Sequence, residues 1–134
     1  MKTFSCILLV SLVVGQLLAA DDSQKASVPS YMTEKEANKK LPATLPSSNF
    51  SDPQTAQAYQ VAKEIPKVLA QLPCYCWCSR GGHKGLLDCY VTEHASHCGI
   101  CKKEALFASK LTKEGKTPAE IRSLIEKNEW VKAE

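Results

Sequence analysis

Apolar residues Tyr59, Ala62, Ile65, Leu69 and Leu72 recur at three- and four-residue spacing, the repeat of one buried helix face. Asp52 followed by Pro53 supplies an N-cap and a first-turn proline, so the helix is predicted to begin there. Pro66 lies inside the pattern, removes a backbone donor and divides or kinks the helix, and Pro73 stops it. A second long helix is predicted from Cys98 to about Glu114, with Ile100, Leu106, Phe107 and Leu111 buried and Gly115 as its C-terminal stop. A third follows Thr117-Pro118-Ala119-Glu120, a capping box with proline at the first helical position. Ile121, Leu124, Ile125 and Trp130 or Val131 share its apolar face. Between the first two helices the helical period disappears. Gly81-Gly82 and Gly85 mark a loop from Cys74 to about Leu86, and Leu87 to Val91 reads as a short helix rather than a strand. The expected fold is all-α: a small domain of about three helices over residues 52–132, with an irregular cysteine-rich loop between the first two.

Upstream the pattern changes twice. Residues 21–51 hold Pro29, Pro42 and Pro46 among many Ser, Lys and Asn, too few large apolar residues to offset ordering entropy, and are expected to be a disordered linker. Thr33 to Lys40 forms at most a transient helical turn there. Residues 1–20 read as a secretory signal peptide. Lys2 is its positive end, Phe4 to Leu18 its apolar run, and Leu18-Ala19-Ala20 its small-residue cleavage site. The run falls short of the roughly 20 residues a membrane-spanning helix needs. A lipidated cysteine would follow the run; Cys6 lies inside it. The expected product is exported, periplasmic or extracellular, with no stable membrane anchor.

Composition narrows the function. The chain carries 17 basic and 14 acidic residues, and loss of Lys2 leaves a net charge of about +2, mixed in sign, which gives no electrostatic case for nucleic acid. The remaining length, about 114 residues, suffices for one small domain. Outside the cytoplasm free thiols oxidise unless they bind metal, pair, or serve a redox role.

That constraint matters because six of the seven cysteines lie in one segment: Cys74, Cys76, Cys78, Cys89, Cys98 and Cys101. The only histidines, His83, His94 and His97, lie among them. In Cys74-Tyr75-Cys76-Trp77-Cys78, an extended backbone would point three sulfurs to one side and both aromatics to the other; a curled one would wrap three thiolates around a single soft ion. Bridges between cysteines two apart are strained, so disulfides would need distant partners. Cys98 and Cys101, at i and i+3, share a helix face. At a helix N-terminus both are expected to have lowered thiol pKa values. If that helix begins early, His94, His97, Cys98 and Cys101 line one face as a mixed nitrogen–sulfur site. Asp88 and Glu93 are candidate acceptors for histidine N–H groups.

No catalytic constellation stands out: no Gly-x-Ser-x-Gly, no phosphate loop, no His-Glu-x-x-His. The chain is therefore read as a non-enzyme. Lys102 stands where covalent haem would require a histidine after Cys101. The strand–helix alternation around a thioredoxin-like Cys-x-x-Cys is missing.

The stretches Leu72-Pro73-Cys74-Tyr75-Cys76-Trp77-Cys78, Gly82-His83-Lys84 with Leu86-Leu87-Asp88-Cys89-Tyr90-Val91, and Cys98-Gly99-Ile100-Cys101 with Glu104-Ala105 resemble the PCYCGC-motif family. The likeness runs from about Ala56 to Leu124. The resemblance implies export and a grouping of the six cysteines; the family's members are exported bacterial proteins and lipoproteins, largely without an assigned function. Trp77 replaces the glycine that names the motif, leaving less backbone freedom, and the lipidation cysteine of its lipoproteins is absent here.

Three classes follow in order. The first is a metal-binding protein using Cys74, Cys76, Cys78, Cys89, Cys98, Cys101 and, as further ligands, His83, His94 and His97. Its cargo is Cu(I) before Zn(II), because thiolates are soft and six of them can share several Cu(I) ions. The second is a disulfide-stabilised structural or interaction domain, the usual reading of an even cysteine count in a secreted chain. The third is a thiol redox protein.

Overall fold

The computed structural model describes residues 27–132. The signal peptide read at 1–20 lies outside them, as does Cys6. Five α-helices and no strand occur among the described residues: α1 (Glu34–Ala37), α2 (Pro53–Glu64), α3 (Pro66–Ala70), α4 (Gly99–Lys113) and α5 (Pro118–Glu126). Short 3-10 turns fill the segment between α3 and α4. The architecture is the expected one: an all-α domain of three longer helices, α2, α4 and α5, with an irregular cysteine-rich loop between the first two.

The local signals act where they stand. Asp52 caps α2 by accepting from the Thr55 N–H at 2.8 Å, with Pro53 opening the helix. Pro66 divides the predicted first helix into α2 and α3. Thr117 and Glu120 close a reciprocal capping box on α5. Gly115 takes φ +84° just past α4, the left-handed stop that only glycine adopts without strain.

The buried face of α4 differs from the expected one. Ile100, Leu106 and Phe107 are half-buried, and only Leu111 of the predicted set is buried. The buried face is instead Cys101, Glu104, Ala105, Ala108, Ser109 and Leu111. α2 packs along α4 with Ala58, Tyr59 and Ala62 among its buried residues, while Ile100, Leu106 and Phe107 pack half-buried against the same core. On α5, Ile121 and Ile125 are buried, and Trp130 rather than Val131 completes the apolar surface.

Residues 27–51 were expected as part of a disordered linker, with order starting at residue 52. They are ordered against the domain. The Met32 N–H donates to the Ala70 carbonyl and the Leu45 N–H to the Tyr90 carbonyl, each at 2.9 Å. Phe50 stacks on Tyr59 with ring centroids 4.0 Å apart. Ala37, on the capped α1, is fully buried. The Arg122 guanidinium lies 4.3 Å from the centre of the Tyr31 ring. The apolar residues here follow no period, and the order comes from long-range partners that composition does not register. Among the described residues no helix is long and apolar enough to cross a membrane.

Candidate metal centre

The loop is docked on the helices before it presents any sulfur. Leu86, Leu87 and Tyr90, in a 3-10 turn, are fully buried. Gly85 lies so close to the end of α3 that a Cβ there would stand 2.5 Å from the Ala70 carbonyl oxygen. The Leu86 N–H then donates to the Leu72 carbonyl at 2.9 Å. Two tyrosine hydroxyls pin the far side: Tyr59 to the Thr92 carbonyl at 2.6 Å and Tyr90 to the Cys101 carbonyl at 2.8 Å.

On this base Cys74 to Cys78 curls rather than extends. The Trp77 N–H reaches back to the Cys74 carbonyl at 3.2 Å. Trp77 itself has φ 60° and ψ 25°, the left-handed region. That conformation costs an L-residue about 1–2 kcal/mol and costs glycine almost nothing, which gives a physical reason for the glycine at this place in the motif. Trp77 meets the edge of Tyr75 at 6.3 Å and lies under the Arg80 guanidinium at 5.1 Å. Both contacts offset the strain.

The curl brings the sulfurs together. Cys74 Sγ is 3.4 Å from both Cys76 Sγ and Cys101 Sγ. Cys76 and Cys101 are 3.6 Å apart, and Cys78 and Cys89 3.2 Å. Cys98, the N-cap of α4, joins through the group Cys76, His94, Cys98 and Cys101, whose donor atoms all lie within 4.8 Å of one another. Cys74, Cys89 and Cys101 form a second such group, and all three are buried. All six cysteines are free thiols.

The histidines divide. His94 lies 3.7 Å from Cys76 Sγ through Nε2, and His83 lies 3.4 Å from Cys89 Sγ through Nδ1. Their rings meet edge to face at 5.1 Å. His97 is exposed and belongs to none of the donor groups. The face proposed for His94, His97, Cys98 and Cys101 required the helix to begin early. It does not: Glu93–His97 is a 3-10 turn, and Cys98 is extended at φ −120° before α4 starts. His94 therefore reaches the sulfurs from a separate turn. Asp88 accepts from the Lys84 N–H at 2.7 Å and braces the loop rather than a histidine.

The expected lowering of the Cys101 thiol pKa is reversed. Contact with the Cys101 sulfur pushes Cys74 up; for Cys89 and Cys101 the largest sulfur contact lowers the value, but contact with a second sulfur and burial outweigh it, and all three thiols stand well above the usual range. Thiolates this close together repel, and the interior solvates them poorly. These three thiols are accordingly neutral in the free protein, and a cation that binds them must displace their protons. His94 is held below its ordinary value by desolvation first and then by His83 and His97, which favours the neutral imidazole that can ligate.

Glu104 is the residue that sequence reasoning missed. It is fully buried. Its Oε1 accepts from the Tyr75 N–H at 2.9 Å, and Oε2 has no hydrogen-bond partner. Burial pushes its carboxyl up to about 7, against the lowering effects of Tyr75 and Cys74. Glu104 thus ties α4 to the middle of the cysteine curl. Its spacing of three from Cys101 was the available signal.

The donor set is soft: thiols with imidazole at their edge, and no carboxylate in any donor group. It fits a cation that prefers sulfur and nitrogen over one that needs oxygen. A family model described as "Protein of unknown function with PCYCGC motif" matches residues 8–131. No curated protein and no solved structure is significantly similar to the chain.

Proposed function

The chain belongs to the PCYCGC-motif family, whose function is unknown, and from that membership and the site's geometry we propose an exported protein that binds and handles soft metal ions. It acts as a carrier or buffer rather than an enzyme. The observation that carries this reading is the convergence of thiols far apart in sequence, with Cys74 Sγ 3.4 Å from Cys101 Sγ. A domain of this size gains from a cluster that closes its loop, because metal binding adds to folding stability.

Cu(I) is the cargo we propose first. Sulfur separations of 3.2–3.6 Å suit thiolates shared between neighbouring ions, which Cu(I) accepts readily. Zn(II) is the second reading. It is favoured by one observation: Cys76, His94, Cys98 and Cys101 have the number and kind of donors of a tetrahedral zinc site. Export, read from residues 1–20, supplies the setting in which bound metal also protects the thiols from oxidation.

Reduced, metal-free protein should show six free thiols in its native state and bind more than one Cu(I) in competition with a Cu(I) chelator. Zn(II) should not displace the copper. Removing the metal under reducing conditions should lower the melting temperature, since saturation a thousandfold above Kd stabilises by about 4 kcal/mol. Paired cysteines with no metal in freshly isolated protein would overturn the reading in favour of a disulfide domain. A tightly held Zn(II) that resists Cu(I) would overturn the choice of copper.

A further inference from the structure

The donors of the cluster sort into two sets. Cys76, Cys98, Cys101 and His94 lie mutually within 4.8 Å. The remaining sulfurs, Cys74, Cys78 and Cys89, are each within that same distance of the other two, pair by pair. His83 Nδ1 stands 3.4 Å from Cys89 Sγ. Every cysteine of the loop is used once, and each set has three sulfurs and one nitrogen. The first set is a complete tetrahedral sphere for a d10 ion as it stands; the second has its three sulfurs together with His83 beside one of them, and His83 belongs to it by that contact with Cys89. The sets abut, because Cys74 Sγ is 3.4 Å from both Cys76 Sγ and Cys101 Sγ, and the two imidazoles touch.

The sets are not equally placed. In the first, His94 is exposed, Cys76 and Cys98 are half-buried, and Cys101 alone is fully buried. In the second, Cys74 and Cys89 are 2% and 0% exposed, and Cys78 and His83 are half-buried. His94 also lies within 4.8 Å of the Cys78 and Cys89 sulfurs, so it stands at the seam between the sets. Ligand exchange needs an incoming donor to approach the ion, and water has access to three of the four residues of the first set.

We propose that the cluster is two adjacent cation sites, an outer one of Cys76, His94, Cys98 and Cys101 that exchanges its ion, and an inner one of Cys74, Cys78, His83 and Cys89 that retains it. This rests on the metal-binding reading above. It adds a division of labour: the inner ion closes the loop onto the helices, and the outer ion is the one passed to an external soft donor through His94.

Reduced protein titrated anaerobically with Cu(I) alone, and read by native mass spectrometry, should fill to two ions in two steps. A competing chelator should then strip them in two phases. Cys98→Ser should lose one ion and the fast phase, and Cys78→Ser the other ion and the slow phase, with circular dichroism verifying that each variant folds. His94→Ala and His83→Ala, which remove only partly exposed rings, decide the matter should a cysteine variant fail to fold. His94→Ala should change only the fast phase and His83→Ala only the slow one. Loss of all metal on either single cysteine change in a folded variant, equal effects of the two histidine changes on both phases, or all-or-none filling to four or more ions would overturn the division. Failure of the reduced wild-type protein to bind any Cu(I) or Zn(II) would instead overturn the metal reading itself.

Discussion

The helices and the cysteine-bearing segment are built on opposite principles. α2, α4 and α5 are held by local means: side-chain or proline caps on α2 and α5, a left-handed glycine after α4, and regular backbone bonding along each. Residues 74–98 have no regular ladder. Their shape depends on a few distant ties, namely Gly85 at Ala70, Tyr75 at Glu104, and the hydroxyls of Tyr59 and Tyr90. A regular element tolerates the loss of one contact because its neighbours remain. A segment held by single ties does not, so small changes at those ties should separate the two regions.

Glu104 offers the largest separation. In the unfolded chain its carboxyl ionises near the ordinary value of 4.5; in the fold, near 7. Below pH 4.5 it is neutral in both states. As pH rises towards 7 the unfolded chain releases its proton first, so the stability of the metal-free protein falls over that window by about 3 kcal/mol, each tenfold difference in proton affinity being worth about 1.4 kcal/mol. Glu104→Gln keeps an acceptor for the Tyr75 N–H and cannot ionise. Urea unfolding of the reduced, metal-free variant at pH 4.5, 6 and 8 should show that loss reduced by about the same amount. An unaltered pH profile would mean that the carboxylate is solvated and is no tie.

Gly85→Ala comes next. The added methyl meets backbone, which cannot rotate away, and overpacking of this kind costs about 1–3 kcal/mol. The ends of the loop should lose amide-exchange protection while α4 and α5 keep theirs. Equal loss across the whole domain would show that the loop and the helices are one cooperative unit.

Trp77→Gly should have the smallest effect. It relieves about 1–2 kcal/mol of left-handed strain. It also gives up the Tyr75 edge contact and the Arg80 cation–π contact, each about 1 kcal/mol, and adds glycine's entropy. The balance should stay within about 1 kcal/mol in denaturant melts. Destabilisation well beyond that would make the indole an anchor of the curl.

Legibility in the sequence follows the same divide. Asp52-Pro53, Pro66, Gly115 and the Thr117 box could be read because each acts on its own few residues. The six cysteines could be grouped because they are close in sequence, and His83 and His94 fall beside them. What could not be read depends on partners elsewhere. Ile100, Leu106 and Phe107 looked like the buried face of α4, but the fully buried positions are Ala105 and Ala108, on the helix that α2 packs along. His97 was placed by extending a helix one turn, and the extended backbone at Cys98 breaks that register. Glu104 stands three residues from Cys101, but its enclosure depends on Tyr75 and the curl packed over it. Residues 27–51 looked disordered because no local pattern holds them.

Those last residues have a consequence for the order in which the molecule comes into being. The segment is made before its partners, so Met32 waits for Ala70, Phe50 for Tyr59, Leu45 for Tyr90 and Ser30 for the His83 carbonyl. Most of these contacts span a long stretch of chain, and such contacts close late. The three sulfurs of residues 74–78 are in the same position relative to Cys101. They are joined to the growing chain before Cys101, the residue that completes their cluster, has been added.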